Sequence, residues 1–136
     1  SAIKPAEFFD QAWAKPKYHH RAPNIRALID RFNHITRWIV TEVLKEEKMR
    51  GRVKKMIKFI KVAECLRSLH NFHTLMAILS GLDEGPLYRL KFTRAELPVK
   101  YKESFDNLKA LMSADKSYGA YRSELHHAEP PCTPYM

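Results

Sequence analysis

Two apolar stripes, each repeating every three or four residues, constrain this chain more than any other feature. Ile25, Leu28, Ile29, Phe32, Ile35, Ile39 and Val43 form the first; Val53, Met56, Ile57, Ile60, Ala63, Leu66 and Leu69 form the second. At 3.6 residues per turn such a set lies on one face of a helix, whereas a strand would scatter it over both faces. Each stripe needs another apolar surface to cover it, so the fold must pack helix on helix. Asn24 stands at the head of the first stripe, where its side chain is expected to cap a free backbone N–H. Gly51 is expected to mark the turn between the stripes, a connection short enough to make the two helices antiparallel neighbours.

The rest of the chain reads the same way. Pro5 to about Trp13 is a candidate helix, since proline suits a first helical turn. Lys15 to Pro23 has no period and contains two prolines, which predicts a loop. Phe72 to Leu82 is a third long helix with Phe72, Leu75, Met76 and Leu79 inward, broken by Asp83-Glu84-Gly85-Pro86. Leu87 to Phe92 reads as one irregular turn. Pro98 opens a helix with Tyr101, Phe105, Leu108 and Met112 inward, and Tyr118 to about His127 is the last, stopped by Pro130-Pro131. No stretch alternates as a strand would. The expected class is all-α, in one domain over residues 1–136.

Composition narrows the partners. An apolar share of 45% argues against disorder. No apolar run approaches the roughly 20 residues that span a bilayer. The start, Ser1-Ala2-Ile3-Lys4-Pro5, lacks the apolar stretch of a signal peptide. Cys65 and Cys132 are the only cysteines. Cys65, between inward Ala63 and Leu66, is expected to be a small buried thiol, and Cys132 a thiol in a Pro-rich tail. No disulfide between them is expected, and a reduced intracellular compartment is the simpler reading. The net charge of +9 would attract nucleic acid, an anionic membrane face or an acidic protein. Much of it lies between Lys45 and Lys61, where a solvated helix face is the plainest account. A nucleic-acid interface there would need a recognition helix or interleaved aromatics, and neither is seen, so no nucleic acid is expected.

No catalytic or cofactor motif appears. The four glycines, Gly51, Gly81, Gly85 and Gly119, are scattered and make no phosphate loop. His70 and His73 are three apart, but no Cys, His or acid completes a tetrahedral set around them. His19-His20 and His126-His127 are adjacent pairs, a poor chelating geometry on a helix. Neither cysteine has a placed base. The residues alone therefore describe a basic helical domain that binds something, with no metal and no cofactor.

Several segments, in order, resemble the catalytic domain of Ras-type guanine-nucleotide exchange factors. Ile3-Lys4-Pro5-Ala6-Glu7-Phe8 with Trp13 is similar to the family's I-x-P-x-E-L…W. Ala22-Pro23-Asn24-Ile25 matches its A-P-N motif, and Arg31-Phe32-Asn33-His34-Ile35-Thr36-Arg37-Trp38 its R-F-N…W motif. Arg52-Val53 with Phe59-Ile60-Lys61-Val62-Ala63, and Leu69-His70-Asn71-Phe72-His73-Thr74-Leu75, resemble the next two. Ile78-Leu79-Ser80-Gly81-Leu82 with Pro86-Leu87-Tyr88-Arg89-Leu90 resembles the segment ending in R-L. Glu129-Pro130-Pro131-Cys132-Thr133-Pro134-Tyr135 is similar to x-P-P-C-x-P followed by an aromatic. His70 replaces a usual Asn.

The resemblance implies an all-helical bowl with a non-covalent activity, not an enzyme in the bond-making sense. Such a domain grips the switch regions of a Ras-family small GTPase (Ras, Rap or Ral) and stabilises the nucleotide-free form, which by linkage weakens nucleotide binding. Any magnesium belongs to the GTPase. Carried over residue by residue, the GTPase-facing positions are Asn33, Met76, Asp83, Tyr88, Lys109 and Tyr118. Arg89, Asn71 and Glu129 are expected to hold the scaffold. The expected location is cytoplasmic, with an anionic membrane surface as a candidate second partner. The family continues past the terminal aromatic with G-x-Y-L and a helical hairpin that opens the first switch, and further helices usually precede Ser1. The expectation is thus a bowl truncated at both ends, weak or inactive by itself. The alternative is a non-catalytic adaptor that keeps the fold and binds a signalling partner.

Overall fold

A computed structural model describes residues 2–135; the expected truncations at Ser1 and Met136 fall outside the described residues. Among the described residues seven α-helical segments follow in chain order: α1 (Pro23–Leu44), α2 (Met49–Ser68), α3 (Phe72–Asp83), α4 (Gly85–Tyr88), α5 (Lys91–Ala95), α6 (Val99–Leu111) and α7 (Asp115–His127). Two 3-10 segments, Pro5–Gln11 and Pro16–Arg21, precede them. Among the described residues there is no strand, only an isolated bridge between Asn71 and Thr133. The all-α class holds. The chain divides into two compact units, residues 1–34 and 35–136, with the boundary inside α1.

In residues 1–34 a small cluster of Ala12, Ala22 and Ile25 is flanked by Ile3, Trp13, Tyr18 and Ile29. The expected Pro5 to Trp13 helix is instead a 3-10 segment kinked at Phe9 (ψ 142°) and Asp10 (φ 55°). The expected Lys15 to Pro23 loop contains a short 3-10 helix that Pro16 opens. Asn24 does not cap α1. The carboxylate of Glu7, 3% exposed, does so from seventeen residues away. Its Oε2 accepts the amides of Asn24 (2.8 Å) and Ile25 (3.0 Å), and its Oε1 accepts the Asn24 side-chain amide (2.7 Å) and the Lys4 amide (3.2 Å). An ionised acid suits a helix N-terminus, whose free N–H groups carry partial positive charge. Burial pushes the Glu7 carboxyl up. The hydrogen bonds from the Asn24 side chain and from the Ile25, Lys4 and Asn24 amides outweigh it and hold the group below its ordinary value.

In residues 35–136 the core is built from Ile39, Val43, Met56, Phe59, Ile60, Phe72, Leu75, Leu82, Leu87, Phe105, Leu108 and their neighbours. The second half of α1 runs antiparallel to α2. Trp38 meets Phe59 edge to face at 5.4 Å, and one turn on, Glu42 meets Lys55 at 3.3 Å. The α1 helix also passes close to α3: a Cβ on Gly81 would lie 3.1 Å from the Ile39 side chain, tighter than ordinary packing allows.

Three expectations need correction. Gly51 does not mark the turn; it sits in the first turn of α2, after a connection at Lys45–Lys48. Its lack of a side chain makes room for Glu46, whose Oε2 would stand 2.5 Å from an added Cβ. Cys65 is exposed, as is Cys132, and both are free thiols. Two residues past buried Ala63, Cys65 lies roughly 200° round the helix, on the outer side. Leu69 is 69% exposed because the helix has already ended. There His70, at φ 53°, donates its amide to the Arg67 carbonyl, and Asn71 donates to that of Leu66. That pair of bonds is a Schellman cap, whose left-handed position favours Gly or Asn and tolerates His.

The start of α3 is closed from two sides. The Asn71 side chain accepts the Thr74 amide (3.2 Å), and the Thr133 carbonyl accepts the Phe72 and His73 amides (2.8 and 3.3 Å). The terminal segment is thus a strap on α3, held further by the Tyr135 amide donating to the Tyr121 hydroxyl at 2.8 Å. Burial raises both tyrosine hydroxyl pKa values. Across the same region Arg67 forms a fork with Glu124 (2.8 and 2.7 Å), tying α2 to α7. The segment expected as one irregular turn is the pair of short helices α4 and α5.

Candidate functional site

Asp83 is the last residue of α3, and electrostatics disfavours it there. A helix C-terminus carries partial negative charge, so a carboxylate at that end is a poor local choice. The structure answers with two cations. Lys109 Nζ, from the last turn of α6, stands 2.7 Å from Asp83 Oδ2, and Arg94 Nη2, from α5, stands 3.4 Å from Oδ1. Both pairs are partly exposed, so each contributes little to stability by itself.

Below this pair lies a depression of about 200 Å³ lined by Met76, Leu79, Ser80, Asp83, Lys109 and Met112. Leu79 and Met112 are buried core residues that form its apolar floor. Met76 is half-buried, packing on the core while lining the hollow, so it serves as core and as surface at once. On the other side of the α3–α4 corner, Glu84 lines a second depression of about 460 Å³ with Thr36, Arg37, Val40, Thr41 and Pro86.

Tyr88, at the end of α4, is 62% exposed. The Arg94 guanidinium lies 5.7 Å from its ring centre and 5.7 Å from that of Phe105. Lys109 Nζ lies 5.2 Å from the Phe105 ring. Arg94 therefore links Asp83 to Tyr88, Lys109 pairs with the same Asp83, and Met76 lines the depression beside Asp83 and Lys109. Tyr118 is a half-buried aromatic whose ring packs 6.1 Å from that of Tyr135. It follows two other residues in left-handed backbone, Lys116 (φ 51°) and Ser117 (φ 54°), and is itself at φ 60°. Asn33 is exposed on α1 within residues 1–34, and the other five belong to residues 35–136.

Arg94 is the residue that sequence reasoning missed. Its Nε donates to the Leu87 carbonyl (3.2 Å), and its Nη2 donates to the Leu82 carbonyl as well as to Asp83. One guanidinium thus closes the C-terminal end of α3 and bonds the carbonyl of Leu87 in α4, the work of a five-donor fork. No local pattern announces it, because its acceptors lie 7 to 12 residues upstream and converge only in three dimensions. Arg89, expected to hold the scaffold, is exposed instead. Asn71 holds the scaffold as expected, and the Glu129 carbonyl approaches His70 Nδ1 at 3.3 Å.

The match to a known family is complete in extent: a sequence model described as the RasGEF domain covers residues 1–136. The chain belongs to the RasGEF domain family. Its similarity to individual RasGEF relatives is high. Ras guanine nucleotide exchange factor G of Dictyostelium discoideum is 54% identical, over 98% of this chain and 9% of its own length. Factor J of the same organism is 47% identical over 100% of this chain and 17% of its own. Factor A is 40% identical over 98% and 22%. The chain thus spans less than a quarter of the length of each of these relatives. Among its described residues no helix is long and apolar enough to cross a membrane.

Proposed function

We propose that this RasGEF domain binds a Ras-family small GTPase through the α3–α6 depression and promotes GDP release by stabilising the nucleotide-free form. The observation that carries the reading is Asp83. A carboxylate kept at a helix C-terminus against the local field, and held in place by Lys109 and Arg94, is a group retained for something other than stability. The apolar floor beneath it and the exposed Tyr88 ring beside it supply what a protein interface centre needs: a desolvated hollow and an aromatic anchor. Met76 and Tyr88 are the apolar contacts, Asp83 and Lys109 the polar ones, and Tyr118 a further ring contact; Asn33, in residues 1–34, is a candidate contact of its own unit. Such a site needs no base and no metal, because only the difference in affinity between empty and loaded GTPase speeds release. The reading places the domain in the cytoplasm, with an anionic membrane face as a second partner.

The test is release of a fluorescent guanine nucleotide from Ras, Rap and Ral proteins in turn. Acceleration of one, weak for this chain by itself and abolished by Asp83→Lys, is the expected result. Binding of a GTPase with no acceleration would replace exchange by an adaptor role, and no binding to any would overturn the reading.

A further inference from the structure

The cations of α2 are sorted by the helix itself. Positions 50, 54, 58, 61, 65 and 68 fall within roughly an 80° arc at 100° per residue. They are Arg50, Lys54, Lys58, Lys61, Cys65 and Ser68, and every one is exposed. The opposite side carries the buried Met56, Phe59, Ile60 and Ala63, which pack toward α3. The arc holds no acid. Glu64, the sole acid of α2, lies off it and accepts the Ser104 hydroxyl. Two further acids stand at the N-terminal end of the row, in the connection before α2. Of these, Glu46 pairs with Lys55 at 3.9 Å, and Glu47 is exposed. Lys61 also lies 5.6 Å from the ring centre of Tyr101 on α6. Partly exposed Val62 (41%) lies beside the row, about 40° beyond Lys58.

We infer that this outer face of α2 seats on an anionic lipid bilayer. This rests on the membrane reading above and assigns the surface that makes the contact. From Arg50 to Lys61 the row spans about 16 Å at 1.5 Å per residue, one cation per turn in a straight line. A straight row of long, unpaired cations on a helix fits a flat plane of anionic headgroups, over which lysine stems extend while their ends stay hydrated. Val62 beside it gives the row an apolar edge, which a headgroup boundary accommodates and a phosphodiester groove does not use. No aromatic or amide side chain lies on the arc to stack on or read bases. Because the α3 side of α2 faces away from the row, a bilayer there leaves the Met76 and Asp83 depression uncovered.

The experiment is vesicle sedimentation at about 0.1 M salt, comparing phosphatidylserine-containing vesicles with pure phosphatidylcholine. The wild-type chain is expected to bind only the former. Each cation near such a surface contributes about fivefold, so Lys54→Glu with Lys58→Glu should weaken binding roughly tenfold or more. Lys15→Glu with Lys91→Glu, exposed cations off the row, should change it less. In a Cys132→Ser chain, an environment-sensitive dye on Cys65 should shift to the blue with anionic vesicles, marking α2 as the contact face. Far-ultraviolet circular dichroism confirms that each variant is folded. Absence of wild-type binding would overturn the membrane reading itself. Binding that survives the α2 pair unchanged would overturn the surface assignment alone. Tighter binding to a random-sequence DNA duplex than to vesicles, with no dye shift on lipid, would assign the row to nucleic acid and overturn the proposal.

Discussion

Glu7 shows what a single side chain decides. It is charged, nearly inaccessible and far in sequence from the helix it caps. Its folded pKa lies below the ordinary value of 4.5, because the hydrogen bonds from Asn24, Ile25 and Lys4 outweigh the burial that opposes them. A depressed carboxyl pKa contributes stability that is fully present above the unfolded pKa and lost as pH falls through the folded one. Residues 1–34 should therefore hold their structure down to about pH 4.5 and loosen below it. Glu42, held low by hydrogen bonds from Lys45 and Lys55, adds to the same acid limb in the other unit. The expected outcome is that Glu7→Gln lowers the thermal midpoint at pH 7 and flattens its fall between pH 5 and pH 3, within the carboxylate titration range. A variant whose midpoint falls as steeply with acid as the wild type would contradict the capping account. The sequence hid this role because Glu7 reads as a first-turn acid of its own segment, while Asn24 has the residue type of a cap. The deciding fact, that the chain folds back to bring Glu7 to the Asn24 and Ile25 amides, is tertiary.

At the scale of elements, the long helices were legible and their joints were not. α1, α2, α3 and α6 each carry several turns of apolar spacing, and burial of one stripe overrides weaker local preferences. The α4–α5 stretch is too short for a period to declare itself, so Leu87 to Phe92 reads as a single turn. Gly51 reads as a breaker because glycine usually is one, yet here it clears space for Glu46 inside α2. The candidate site was legible in part. Met76, Asp83, Tyr88 and Lys109 come together, but the Arg94 side chain that organises them has no sequence signal. Replacing it tests that role. Arg94→Lys keeps the charge but cannot reach three acceptors together, leaving the Leu82 or Leu87 carbonyl short of a donor. The cost should be about 1–3 kcal/mol in urea unfolding. Arg89→Lys, at an exposed neighbour, should stay within about 0.5 kcal/mol. Equal effects from the two substitutions would remove Arg94 from its place as the link.

For the molecule as a whole, a helical scaffold is tied at α3 from both ends. The Thr133 strap and Asn71 close its start, and Arg94 closes its finish. Between them lies a face that mixes an apolar hollow, a charge pair and an exposed ring. The central claim is that this face receives the GTPase, and Tyr88 separates the claim from a purely architectural reading. Its ring is mostly in solvent, and its one described contact is the Arg94 guanidinium, worth roughly 0.5–1 kcal/mol at an exposed site. An aromatic anchor at the centre of an interface contributes about 2 kcal/mol or more to binding. The decisive measurement is titration of wild type and Tyr88→Ala against a nucleotide-free Ras-family GTPase, with thermal midpoints recorded alongside. The account predicts affinity weakened by about thirtyfold with a midpoint shift worth no more than about 1 kcal/mol. Unchanged affinity, or a large loss of thermal stability with binding intact, would contradict it.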